Sequence, residues 1–178
     1  VTRLVGVGLT TEAAIAIQRE LGDRAMEGRS LNNLAIFYSR LGQPAKSIEI
    51  LQNVLKLFRE LKDRANENAT ILALGFTYGG MGETEKAIDY FEQGLAYSRE
   101  LKDLPREVLC LSNLGLAYQF LSRYEKAIEY LEQALAIMTV LGDRRLEGDT
   151  LGNLGMVYLR LNRYEKAIEA HEKSLALY

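Results

Sequence analysis

The chain has 178 residues, and its 22 lysines and arginines stand against 24 aspartates and glutamates for a formal net charge of -2. A balance so close to neutral lacks the basic footprint of a nucleic-acid binder, and no run approaches the roughly twenty apolar residues that cross a bilayer, so neither nucleic acid nor membrane is an expected partner. Cys110 is the only cysteine and His171 the only histidine, which excludes an intrachain disulfide and a cysteine-built metal centre.

Residues 1–9, with Gly6 and Gly8, match nothing downstream and read as an extended, frayed or non-native leader without the long apolar core of a signal peptide. Glu12-Ala13-Ala14-Ile15-Ala16-Ile17 reproduces the pattern of Glu132 to Ile137. Residues 1–20 are therefore expected to hold a leader and part of the second helix of a truncated repeat. The absence of an initiator Met and the stop at Tyr178 read as a fragment cut from a soluble, cytoplasmic protein.

From there a cassette recurs every 40 residues: L-N-N-L-A-I-F-Y from Leu31, I-L-A-L-G-F-T-Y from Ile71, L-S-N-L-G-L-A-Y from Leu111 and L-G-N-L-G-M-V-Y from Leu151. A fixed period of that length marks a stacked-repeat architecture, with repeats at 21–60, 61–100, 101–140 and 141–178. Leu31, Leu34, Ala35, Tyr38 and Leu41 fall on one face of a first helix. Ala127, Ile128, Leu131, Ala134, Leu135 and Met138 line one face of a second, with Glu125, Glu129 and Glu132 opposite. Each repeat reads as a helical hairpin.

The punctuation agrees. Gly42, Gly82 and Asn162 sit between the paired helices, where a left-handed residue ends a helix, while Ser122 departs from the pattern. Asp23, Asp63, Asp103 and Asp143 stand as N-caps of the first helices, and Pro44 and Pro105 fall in first turns. Gly79, Gly80 and Gly82 crowd the end of one first helix, which predicts that it stops early; the alternative is room left for a bulky ligand side chain. Arg24, Arg64 and Arg144 beside Glu27, Glu67 and Glu147 predict ion pairs along each first helix.

These residues carry a resemblance to the tetratricopeptide repeat (TPR) family. Leu154-Gly155, Tyr158, Tyr164, Ala167 and Ile168 fit its pattern, as do Leu114-Gly115, Tyr118, Tyr124, Ala127 and Ile128, and Leu74-Gly75, Tyr78, Ala87 and Ile88. The first repeat substitutes Ala35, Pro44 and Ser47. The usual period is 34 residues, so longer helices are expected around the L-G-D-R and L-K-D-R junctions. This long variety resembles the arrays of Pins/LGN-type spindle-orientation adaptors, kinesin light chains and bacterial signalling proteins. The resemblance implies an all-α, right-handed superhelical solenoid of antiparallel helical hairpins.

Opposite the packed face, the first helices carry Arg29, Asn33, Ile36 and Arg40; Ala69, Ala73, Phe76 and Gly80; Leu109, Asn113, Leu116 and Phe120; and Asp149, Asn153, Met156 and Arg160. Stacked, they predict a concave stripe. Its asparagines match the donors and acceptors of an extended backbone, and Ile36, Phe76, Leu116 and Met156 offer either apolar contact or packing between repeats. The resemblance implies the same asparagines, with nearby basic residues, as peptide contacts. Arg29, Arg40 and Arg160 outnumber Asp149, so a peptide with apolar anchors and an acidic residue is the expected ligand.

Catalysis finds little support. G-G-M-G-E-T lacks the Gly-Lys-Ser/Thr ending of a phosphate loop, Gly6-Val7-Gly8 lacks the third glycine of a dinucleotide fingerprint, and no cofactor is expected. One His and one Cys make no nucleophile pair, and His171 reads as an aromatic substitute at the place of Phe91 and Leu131. A non-catalytic peptide-binding scaffold is the leading reading. The alternatives are a regulatory or sensor piece of a larger signalling enzyme and a self-assembly module, the latter because the last hairpin lacks a polar cap and an uncapped end can stack on another copy.

Overall fold

The structure, a computed structural model, describes residues 13–178, and the leader therefore lies outside the described residues. Helical residues 13–20 form the described part of α1. Eight further helices follow: α2 Arg24–Arg40, α3 Pro44–Glu60, α4 Arg64–Gly80, α5 Thr84–Glu100, α6 Leu104–Phe120, α7 Tyr124–Leu141, α8 Arg144–Arg160 and α9 Tyr164–Leu175. The described residues contain no strand.

Helices α2 to α6 and α8 are each 17 residues long, and most connectors are three residues, so the 40-residue period is two near-identical strides of 20. The six residues beyond the usual repeat length are thus spread over both helices of a pair.

Each connector is closed by the same device. One residue takes a left-handed conformation and the next returns its N–H to a carbonyl five residues back, as Gln43 does to Tyr38, Asp63 to Phe58, Asp103 to Ser98 and Arg163 to Tyr158. At Asp63 and Asp103 the same residue then opens the next helix, its carboxylate accepting from Asn66 N and Arg106 N. Asp23 and Asp143 cap α2 and α8 in the same way. No side-chain cap hydrogen bond serves α3, α7 or α9. Pro44 and Pro105 occupy first turns, where a missing N–H costs nothing.

Glycine supplies the left-handed residue at 22, 42, 82 and 142, with φ near +70° to +78°. Lys62, Lys102, Ser122 and Asn162 adopt the same conformation with φ of 54° to 57°. Ser122 therefore keeps the geometry that its identity seemed to break. A side chain there is strained by roughly 1 kcal/mol, so Lys102→Gly is expected to raise the unfolding free energy by about that amount in a urea titration. No gain would mean that the Lys102 side chain supplies a compensating contact.

The early stop expected of α4 does not occur. The helix runs through Gly79 and Gly80 to the same length as its neighbours, and Met81 follows as its C-cap. The connector bonds are backbone bonds, and they hold the last turn despite its poor helix formers.

The chain forms two compact units, residues up to Tyr90 and Phe91–Tyr178, with the boundary inside α5. In the first, α2 and α3 form an antiparallel hairpin and α4 packs on both. Phe58, Leu51, Val54, Ile71 and Leu74 are fully buried there. Ser47, where the repeat pattern has Ala, is buried too; Thr77 Oγ1 donates to the Ala73 carbonyl at 2.8 Å, which leaves Ser47 to donate to Thr77 at 3.5 Å. In the second unit, α6 pairs with α7, α8 packs on both, and α9 pairs with α8 around Leu111, Leu114, Leu131, Ala134 and Val157.

The glycine of the Leu-Gly pair has a steric cause in this unit. A Cβ at Gly115 would stand 2.6 Å from Leu131 Cγ, and one at Gly155 would stand 2.6 Å from the His171 ring. His171 thus lies over Gly155 as Leu131 lies over Gly115.

Candidate functional site

In the first unit, the packing of α4 on α2 brings the expected residues into two recesses. Arg29 and Asn33 of α2 share one with Asn32, Phe58, Asn66 and Ala69, of about 240 Å³. Ile36 and Arg40 share the other with Ser39, Ala73, Phe76 and Thr77, of about 410 Å³. Ala73 is buried and forms part of that wall, whereas Phe76 is 44% exposed. Asn32 Oδ1 is buried and has no hydrogen-bond partner among the described residues.

In the second unit, Leu116 and Phe120 of α6 and Asn153 and Arg160 of α8 line a recess of about 400 Å³ with Gln119, Ser122 and Tyr124. Phe120 is 76% exposed. Gln119 Oε1 is buried without a partner, as Asn32 Oδ1 is in the first unit. Asn113 and Met156 do not line this recess. The Asn113 Nδ2 group donates to its own helix at the Leu109 carbonyl, 2.7 Å away, so part of its hydrogen-bonding capacity is already used. Leu116 and Met156 are each 44% exposed, as Phe76 is, so all three present apolar surface rather than filling a core.

Among the described residues no ion pair engages Arg29, Arg40 or Arg160. The arginines elsewhere behave differently. Arg19, Arg59 and Arg99, near the ends of α1, α3 and α5, reach across the connector to Glu27, Glu67 and Glu107 at 2.5, 2.9 and 2.8 Å. Thr139 continues the series to Glu147 at 3.0 Å. The pairs expected within the first helices are mostly absent: Arg64 does reach Glu67, but Arg24 turns to Glu60 and Arg144 to the Ala176 carbonyl. Glu27, Glu67 and Glu107 lean back over the connector, where the preceding helix end offers an arginine, and Glu147 leans back to the Thr139 hydroxyl in its place.

A second series involves the cassette tyrosines. Lys46, Lys86, Lys126 and Lys166 lie 3.9 to 5.5 Å from the ring centres of Tyr38, Tyr78, Tyr118 and Tyr158. Tyr78 stacks on Tyr90 and Tyr118 on Tyr130, each at 5.4 Å between ring centres. Tyr118 and Tyr158 donate to Glu92 and Glu132 at 3.1 and 3.0 Å. Burial first, and the accepting carboxylate second, push both phenols up to about 12.

Burial likewise pushes the Cys110 thiol up to about 11, which keeps it protonated and unreactive at neutral pH. The described residues hold no group of three or more His, Cys, Asp and Glu side chains able to take a metal ion. No helix among them is long and apolar enough to cross a membrane.

Four residues of these recesses, Asn32, Ser39, Thr77 and Gln119, are not among those expected from the sequence. Asn32 and Gln119 each sit next to an expected face, one residue from Asn33 and from Phe120, and a 100° step per residue places them at its margin. The polar marginal position beside an expected contact was the available signal.

Among proteins of known structure and family, a Tetratricopeptide repeat model matches residues 26–100 and 107–178. None of the curated proteins matches the chain. The apo form of RapI is similar in structure, with a TM-score of 0.89 and 21% identity over 99% of this chain and 49% of that one. The putative kinesin light chain repeats from Podosopora anserina align with a TM-score of 0.80 and 21% identity, over 99% of this chain and 87% of theirs. A Rap protein complexed with Competence and Sporulation Factor aligns at 0.78 and 18%, over 99% of this chain and 50% of its own. The chain thus spans about half the length of the two Rap proteins. These likenesses extend to the fold, an all-α architecture of TPR-like helical hairpins.

Proposed function

Because the chain belongs to the tetratricopeptide repeat family, we propose that it is a non-catalytic protein–protein interaction scaffold that holds a peptide segment on the exposed faces of its first helices. The observation that carries this reading is the pair of buried, unpartnered amide oxygens, Asn32 Oδ1 and Gln119 Oε1, each in a recess beside exposed apolar side chains or an unpaired arginine. A buried acceptor without a donor costs about 1–3 kcal/mol. An extended peptide offers backbone N–H groups to which such an amide can turn outward, together with side chains for the apolar positions.

On this reading, in the first unit Asn33 contacts peptide backbone and Ile36 and Phe76 take apolar side chains, and in the second unit Asn113 and Asn153 contact backbone and Leu116, Met156 and Phe120 take apolar side chains. Arg29, Arg40 and Arg160 favour an acidic residue in the ligand. The similar Rap fold, complexed with Competence and Sporulation Factor, supports expecting a bound partner for this chain as well.

The test is selection from a displayed peptide library, followed by titration of one selected peptide. Asn33, Asn113 and Asn153 changed together to Ala are expected to weaken binding at least tenfold, since a hydrogen bond contributes about 1 kcal/mol net. Arg40→Ala with Arg160→Ala should shift the selection away from acidic sequences. Unchanged binding by both variants, with helicity intact, would refute the assignment.

A further inference from the structure

The position of Tyr90 and Tyr130 is Ile50 in the first repeat and Ala170 in the last, and at Ala170 a recess opens away from the residues of the stripe. In the second unit Tyr130 of α7 lies on Tyr118 of α6, with ring planes 2° apart. Its hydroxyl is 3.4 Å from Glu92 Oε1, the atom that also accepts from Tyr118. Forty residues on, almost every part of this arrangement recurs. Tyr158 donates to Glu132 Oε1 at 3.0 Å, and Lys166 lies 5.5 Å from the Tyr158 ring centre, as Lys126 lies 5.0 Å from that of Tyr118. The residue corresponding to Tyr130, however, is Ala170.

The missing ring leaves a cavity of about 240 Å³ walled by Glu132, Leu135, Tyr158, Glu169, Ala170 and Lys173, among others. Lys173 and Glu169 pair with each other at 2.6 Å, and both are exposed, so they can part for an incoming group.

We propose that this recess receives a tyrosine side chain from a partner polypeptide, whose ring stacks on Tyr158 and whose hydroxyl donates to Glu132. The protein itself supplies the precedent, because a chain-borne phenol already occupies the equivalent place beside Tyr118 and shares its carboxylate. A carboxylate has lone pairs for two phenols. Stacking is available to any aromatic ring, but a phenylalanine ring brings no donor for the Glu132 carboxylate, whereas a phenol does. Selectivity for tyrosine over phenylalanine follows.

The experiment titrates the whole protein with p-cresol and toluene, and with N-acetyl-tyrosine and N-acetyl-phenylalanine N-methylamides, followed by NMR of the Ala170 methyl group. The expected result is one saturable site for the two phenols and binding at least tenfold weaker for toluene and the phenylalanine amide. Ala170→Tyr, which fills the recess from within, should abolish binding and raise the melting temperature. Tyr130→Ala should open a second site beside Tyr118; if that variant unfolds, Ala170→Tyr alone decides the matter.

Undiminished p-cresol binding by Ala170→Tyr, or equal binding of toluene, would overturn the proposal. Binding of p-cresol without the tyrosine amide would exclude a polypeptide occupant. A homodimer that p-cresol dissociates would reassign the recess to a second copy of the chain. None of these outcomes bears on the stripe of the first helices, whose variants leave this recess untouched.

Discussion

Tyr118→Ala is expected to lower the unfolding free energy by about 3–5 kcal/mol, the range for removing a buried aromatic side chain. The ring is buried, stacks on Tyr130, lies under Lys126 and donates to Glu92 through its hydroxyl, so its loss leaves a cavity and removes the shorter of the two tyrosine bonds to that carboxylate. Tyr118→Phe keeps the ring and should cost only about 1 kcal/mol, the net contribution of one hydrogen bond. Asn113→Ala, on the opposite face of the same helix, should stay within about 0.5 kcal/mol of the parent. Urea denaturation of the three variants checks the series. If Asn113→Ala proved the most damaging, the division between packed and presented faces would be wrong.

Alkaline pH is expected to destabilise the fold steeply. Tyr118 and Tyr158 are pushed up to about 12 from the ordinary 10.0, and Tyr90 and Tyr130 are raised as well, in every case chiefly by burial. A phenol whose folded pKa exceeds its unfolded value keeps its proton longer in the folded state. Its contribution is therefore fully present below pH 10.0 and is lost as the pH rises through about 12. Melting temperature should fall across that window, and phenolate absorbance of the folded protein should lag behind that of free tyrosine. Glu92→Gln removes the second cause of the Tyr118 shift and should bring that lag down. A melting temperature that stays flat to pH 12 would show that the tyrosines are not so protected.

The helical hairpins were legible because the side chains that build them act over three or four residues. Leu31, Leu34 and Tyr38 announce a face by spacing alone, and Asp63 or Asp103 announces a helix start by its type. The left-handed Lys62 and Lys102 were not legible. Nothing in a lysine favours that conformation, and backbone bonds from the connector impose it. The Arg59–Glu67 pair was hidden for a related reason: eight residues apart, it obeys no helix rule and exists only once the connector has reversed the chain. At the candidate site, the exposed Phe76, Leu116 and Met156 followed from helix rotation, while the buried oxygens of Asn32 and Gln119 depend on how two helices meet.

The equal strides of helix and connector carry a consequence for how the chain reaches its fold. Each connector is three residues or fewer, and within each unit the helices that pack together are first or second neighbours along the chain. Chains whose contacts are so local lose little entropy in closing loops, and they fold fast for their size. Refolding after dilution from urea is therefore expected within milliseconds, without waiting for distant segments to find each other. Any hairpin can begin the process and its neighbours extend it, so a slow phase would have to come from its two X-Pro bonds, those before Pro44 and Pro105.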